Sequence, residues 1–366
     1  MMRYCVLGLF IFCLGIFNQS RAETQIIWKE IRIPLSETGS QGLEALLVWP
    51  DDGAKHPLAL INHGSPRNAS DRAAMTALSF LPIAREFARR GFTAAVVLRR
   101  GYGSSGGGWV ENYGSCQSAD YRHAALASSY DLHKAIQYLS TLGQVNSETI
   151  IAVGHSAGGL ATVALTAIDP PPGLRAAVNF AGGRGSTANN TVCKPDALVA
   201  LFGSLGKTSQ VPMLWVYAKN DHFFNPQLAK RFFDAFVKNG GKASFIEADS
   251  FGQEGHFLFS TTGIPVWTPL VDKFLQSQHL VLMKQIIPLA ISHLKSPSYF
   301  SNAEKSAFLK YELAAPHKAF AVSADGAFGW RSGQRSGDQA VSGALHYCKQ
   351  HTAKICRVIA VDETLK

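Results

Sequence analysis

Charge is scarce in this chain. Asp, Glu, Lys and Arg make up 17% of its 366 residues, against 46% hydrophobic ones. That balance excludes a disordered protein, which needs more charge and less apolar mass to stay open. Basic residues prevail, for a formal +9, or +7 without Arg3 and Arg21, but they are scattered, and the densest spots are Arg89-Arg90 and Arg99-Arg100. With no basic helix face and no aromatic–basic repeat, nucleic acid is excluded as a partner and only a mild attraction to anionic surfaces remains. Long apolar runs are also lacking. The run at 4–17 is too short for a comfortable span and no later segment reaches spanning length, so stable membrane insertion is not expected. The histidines show no paired ligand spacing, and the glycine-rich 101–108 lacks the lysine and following helix of a phosphate cradle. No metal and no cofactor are therefore implied.

Cysteine is sparse as well, and its placement is informative. Arg3, the apolar 4–17 and Ser20-Arg21-Ala22 have the form of a secretory signal peptide over 1–22, cut near Ala22. An uncleaved N-terminal anchor is the alternative. Removal leaves four cysteines, which allow three pairings. Cys348 and Cys356 are near neighbours in a separate C-terminal segment, so Cys116–Cys193 and Cys348–Cys356 is the economical pairing in an oxidising, secreted or periplasmic setting. Free buried thiols are the other possibility.

What is present is a regular alternation of strand-like and helix-like segments. Strands are expected at 26–35, 43–49, 58–62, 93–98, 148–154, 175–181, 212–218 and 243–248. Helices are expected at 78–90, 118–142, after Ser156, around 197–202, and at 226–239 and 266–276. This order implies an α/β fold, a mostly parallel sheet with helices on both faces and reactive groups at the strands' carboxyl ends. The most informative stretch is Gly154-His155-Ser156-Ala157-Gly158, at the end of a buried-strand run and the start of an Ala/Leu-rich helix. A serine on such a turn has its hydroxyl lifted clear of the sheet, and close backbone approach calls for glycine two positions either side. The pattern points to a nucleophilic serine hydrolase.

With this turn on the central strand, the sequence resembles the α/β-hydrolase fold over about residues 26–278. The His63-Gly64 loop and Arg100-Gly101-Tyr102-Gly103-Ser104-Ser105-Gly106-Gly107 look like its dienelactone-hydrolase-like, acyl-esterase or peptidase branch, although dienelactone hydrolases carry a cysteine where this chain has Ser156. The resemblance implies the chain order nucleophile, acid, histidine. On it, Ser156 is the nucleophile, Asp221 the orienting carboxylate and His256 the general base; Asp249 is a rival acid and His222 a rival base. The N–H groups of Ala157 and Ser65 are the expected oxyanion donors, Pro66 having none to offer. His63, Tyr102 and His222 are candidates to line the cleft, with Tyr102 alternatively bonding near the oxyanion.

Residues 23–279 are thus expected to form the catalytic domain, 280–315 a linker with helical segments, and 316–366 a small ββαβ module. In that module a hairpin turns at Asp325-Gly326 and Ser336-Gly337-Asp338-Gln339 has the form of a capping box. The expected substrate is a small-molecule carboxylic ester. A serine peptidase of the prolyl-oligopeptidase type and a non-catalytic binding protein on the same fold are the rivals. Oligomeric state has no signature in the sequence.

Overall fold

The computed structural model describes residues 24–289 and 294–366, so the expected signal peptide lies outside the described residues. The first half of the chain gives β1 (Ile26–Ile33), β2 (Leu43–Pro50), β3 (His56–Asn62), α1 (Leu81–Ala88), β4 (Thr93–Val97), α2 (Tyr121–Leu139), β5 (Val145–His155), α3 (Ala157–Ala167) and β6 (Leu174–Phe180). There follow β7 (Ser186–Ala188), β8 (Thr191–Val192), α4 (Pro195–Gly206), β9 (Met213–Ala218), α5 (Pro226–Lys238), β10 (Ala243–Ala248) and α6 (Ile264–Ser277). Eight strands make one sheet in the order β1-β2-β4-β3-β5-β6-β9-β10, parallel from β4 to β10, with β2 antiparallel to both its neighbours.

The sheet is apolar on both faces, as a sheet wrapped by helices must be. Along β3, Leu60 packs in the core beneath α2, α3, α4 and α5, while the next residue, Ile61, packs in the core beneath α1 and α6. All of α3 is buried, which explains its lack of a polar face. By contrast α5 buries only the stripe Leu228, Ala229, Phe232 and Phe236.

Local caps account for where the elements differ from sequence expectation. The helix expected over 118–142 begins at Tyr121 because Asp120 accepts from the His123 N–H at 2.9 Å, and Cys116–Ser118 forms a separate 3-10 turn. The helix expected from 78 starts as a 3-10 turn, Ala77–Phe80, and becomes α1 only at Leu81. The glycine- and asparagine-rich stretch after β6 carries the β7–β8 hairpin.

A second sheet, β12-β11-β13-β14, is antiparallel throughout, formed by β11 (Ala319–Ser323), β12 (Phe328–Arg331), β13 (Cys356–Val361) and β14 (Thr364–Leu365). With α8 (Gly337–Lys349) it is the small α+β unit the sequence announced, extended by the short β14. Ala319 and Ala321 pack towards α8, and Phe320 packs towards Phe308 and Tyr311 of α7 (Asn302–Glu312), so a segment expected in the linker covers the sheet's other face. Ser301 and Glu304 close a full capping box on α7, whereas Ser336 caps α8 from one side only. The unit docks on the main sheet: Arg335 donates to Glu44 at 3.1 Å and to the Met75 carbonyl at 2.8 Å, and Thr76 donates to the Gly333 carbonyl.

Both expected disulfides are formed, Cys116–Cys193 across 77 positions and Cys348–Cys356 across 8. By chain entropy alone they stabilise by about 4.5 and about 2.6 kcal/mol. Reducing agent is therefore expected to lower the melting temperature by several degrees; superimposable melting curves with and without reductant would rule that contribution out.

Candidate active site

Strand β5 ends at His155 and the chain then turns sharply. Ser156 sits at φ 55, ψ −122, a conformation that costs a residue with a side chain about 1–3 kcal/mol. Three main-chain bonds hold it there: Ser156 N–H donates to Phe180 O at 2.9 Å, and Ser156 O accepts from Leu160 at 3.1 Å and Gly183 at 3.0 Å. The flanking glycines are required by contact. A Cβ on Gly154 would lie 2.1 Å from Gly158 O, and one on Gly158 would lie 2.2 Å from Asn62 O. The Ser156 hydroxyl has no hydrogen-bond partner among the described residues, although the residue is only 7% exposed.

Two strands away the parallel register aligns the ends of β9 and β10, with Ala218 opposite Ala248. The loops that follow bring Asp221 and His256 together, His256 Nδ1 facing Asp221 Oδ2 at 3.1 Å with both side chains buried. Asp221 is itself fixed, its Oδ1 accepting from Phe223 and Phe224 N–H at 2.7 and 2.9 Å. A carboxylate at Nδ1 favours the tautomer with its proton there, which leaves the Nε2 lone pair free to act as a base. The rival acid Asp249 is 94% exposed in its side chain and pairs with Lys219 at 2.7 Å.

The His256 ring lies against aromatic groups. Phe223 stacks on it at 3.9 Å and 6° between planes, and His155 is tilted against it at 4.8 Å. His155 donates from Nε2 to the His256 carbonyl at 2.7 Å, and burial, with His256 beside it, pushes its pKa down to about 3. A neutral His155 therefore packs and positions.

Glu254, which sequence reasoning overlooked, joins the two loops. Its Oε1 accepts from His222 N–H at 2.9 Å and from His256 N–H at 3.1 Å, and its Oε2 lies 3.2 Å from His222 Nδ1. The available signal was a carboxylate two positions before the histidine. His222 stands at the rim, its side chain 38% exposed.

Beside the turn, Asn62 is the register partner of Gly154, so the loop 63–66 emerges next to Ser156. A Cβ on Gly64 would come within 3.1 Å of Ser156 Cβ. Neither Ser65 N–H nor Ala157 N–H has a protein acceptor among the described residues, and Ala157 opens α3 with the positive end of its dipole.

His63 and Tyr102, expected as cleft lining, are corrected by the structure: both are 0% exposed. They belong to an ionic cluster behind the loop. Glu111 pairs with Arg99 and Arg184 and accepts from Tyr102 OH at 2.8 Å, while Arg99 donates from its main chain to His63 Nε2 at 3.1 Å and from Nη1 to His63 O at 3.0 Å. Burial would raise the Glu111 carboxyl, but the two guanidiniums bring it to about 2. Burial and Arg99 push His63 well below its usual range, so it accepts from the Arg99 N–H as a neutral ring.

Among known proteins, the model of the Alpha/beta hydrolase family matches residues 59–284. Similar solved structures include the Pyrococcus furiosus esterase Pf2001, at 13% identity over 69% of this chain and 90% of that one, TM-score 0.47. A dienelactone-hydrolase-like protein of Klebsiella pneumoniae is 16% identical over 69% of this chain and 99% of that one, TM-score 0.47. The Thermogutta terrifontis esterase Est2, solved with butyrate, is 17% identical over 70% and 96%, TM-score 0.48. No curated protein matches the chain.

Proposed function

The chain belongs to the alpha/beta hydrolase family, and from that membership we propose that it is an exported serine hydrolase cleaving carboxylic esters through an acyl-enzyme. The observation that carries this reading is the buried Asp221–His256 pair beside the strained Ser156 turn, to which it is joined by the His155 Nε2 bond to the His256 carbonyl. In the proposed cycle His256 Nε2 takes the Ser156 proton as Oγ attacks the ester carbonyl. The N–H groups of Ser65 and Ala157 bond the oxyanion, and the N-terminus of α3 favours its charge. The alcohol leaves with the proton from His256, and the same ring then deprotonates the water that releases the acid. Asp221 holds the ring and stabilises the imidazolium.

Catalysis is assigned to residues 23–279, and 316–366 to a stabilising appendage docked through Arg335. Two disulfides support passage to an oxidising compartment, following removal of 1–22.

Para-nitrophenyl esters of graded chain length are expected to turn over far faster than aminoacyl-nitroanilides. A fluorophosphonate probe should label the wild-type chain once, on the peptide carrying Ser156. Label on another residue, or faster nitroanilide cleavage, would reject the esterase reading, the latter in favour of the peptidase.

A further inference from the structure

Arg67 follows directly on the loop that carries Ser65, and its side chain folds back over the acid loop. Its Cζ lies 3.4 Å from the centre of the Phe223 ring, whose opposite partner is the His256 imidazole. The guanidinium is aimed by the β7–β8 hairpin: Nε and Nη2 donate to Ser186 Oγ at 3.3 and 2.9 Å, and Nη1 donates to Asn189 Oδ1 at 3.2 Å. The hairpin is fixed in turn. Asn190 N–H donates to His222 O at 2.6 Å, Cys193 N–H donates to Gly185 O at 2.9 Å, and Cys193 is bonded to Cys116.

We propose that Arg67 is a positioning residue for His256, clamping Phe223 flat against the imidazole and, as a fixed cation on the far side of that ring, disfavouring the imidazolium. The inference rests on the esterase reading and extends it. Two effects act with one sign. Guanidinium and imidazolium repel across a single phenyl ring, and the cation draws the π electrons of Phe223 away from the face turned to His256. Both disfavour a positive charge on the imidazole, whereas the Asp221 carboxylate favours one.

The other charged or titratable groups that face His256 are Asp221 at Nδ1, His155 against the ring, and Glu254, shared with His222, at its N–H. His155, held at about 3, is uncharged across the assay range. Asp221 and Glu254 are the same in all the variants compared below.

The test compares Arg67→Gln and Arg67→Lys with wild type on a short p-nitrophenyl ester, measuring kcat, KM and the acid limb of kcat/KM against pH. In Arg67→Gln that limb should move up by roughly half a pH unit or more. The plateau kcat should fall roughly tenfold with KM little changed, because a loosened ring misplaces Nε2 without removing substrate contacts. Arg67→Lys keeps the charge and loses the fork, so its limb should stay near the wild-type position while its kcat still drops. An unmoved limb in Arg67→Gln, even with lower kcat or melting temperature, would reduce Arg67 to a structural contact and overturn the proposal. An NMR titration of the His256 ring in wild type and Arg67→Gln makes the same comparison without turnover. If no ester is cleaved but the ring's pKa rises in the variant, the esterase reading fails and the clamp stands; an unmoved ring overturns the clamp.

Discussion

Replacing Ser156 by alanine is expected to lower kcat/KM on short esters by about four to six orders of magnitude while the fold survives. On the proposed mechanism the loss is that large because the attacking atom itself is removed, leaving only the pull of the Ser65 and Ala157 donors on a water-attacked carbonyl. Stability should scarcely change, since the hydroxyl has no hydrogen-bond partner to lose. Ser156→Gly sharpens the test. Glycine adopts φ 55 without a Cβ conflict, so this variant should be equally inactive and about 1–2 kcal/mol more stable than Ser156→Ala. Activity and stability would then move in opposite directions at one position, as expected of backbone strain kept for function. Turnover in Ser156→Ala within tenfold of wild type would end the assignment, and a Ser156→Gly protein less stable than Ser156→Ala would end the strain argument.

The second large effect is expected behind the site. Glu111→Gln should cost about 3–5 kcal/mol, since it leaves the buried guanidiniums of Arg99 and Arg184 without their counter-charge. Activity should fall with it, because Arg99 holds His63 and so the loop that carries Ser65. The pH dependence has a definite sign. Glu111 titrates near 2 in the fold, below the value of an unfolded glutamate. Its contribution is therefore complete above about pH 4.5 and disappears as the pH falls towards 2. Urea unfolding of the wild type and the variant should show their difference shrinking through that window. A difference under 1 kcal/mol at pH 7 would show that the cluster does not depend on the carboxylate's charge.

The sequence disclosed what is encoded by neighbours in the chain. Gly154, Ser156 and Gly158 lie within five positions and their spacing follows directly from backbone contact, so the turn could be read without a structure. Asp221 and His256 followed from chain order in a resembling family, because parallel strands deliver their loops to one edge of the sheet. What escaped notice is encoded across the fold. Glu111 meets Arg184 73 positions later, and Arg67 meets Ser186 119 positions later. No periodicity marks such pairs. His63 and Tyr102 were misplaced for a related reason: being next to a reactive loop in sequence does not say which side of the sheet's rim a ring takes, and here Glu111 and Arg99 draw both inward. Likewise, Ser336 and Ser301 present similar capping signals, yet only the second is answered by a carboxylate, because glutamate at the third position reaches back where Gln339 does not.

The bond between Cys116 and Cys193 encloses β5, Ser156 and α3 in a single covalent ring. A protease that nicked the exposed hairpin tip at residues 187–190 would open that ring without dividing the molecule, and Ser156 would stay tethered to both halves. If the chain is exported as proposed, to a place where damage of this kind accumulates and no resynthesis follows, it outlasts its first cut.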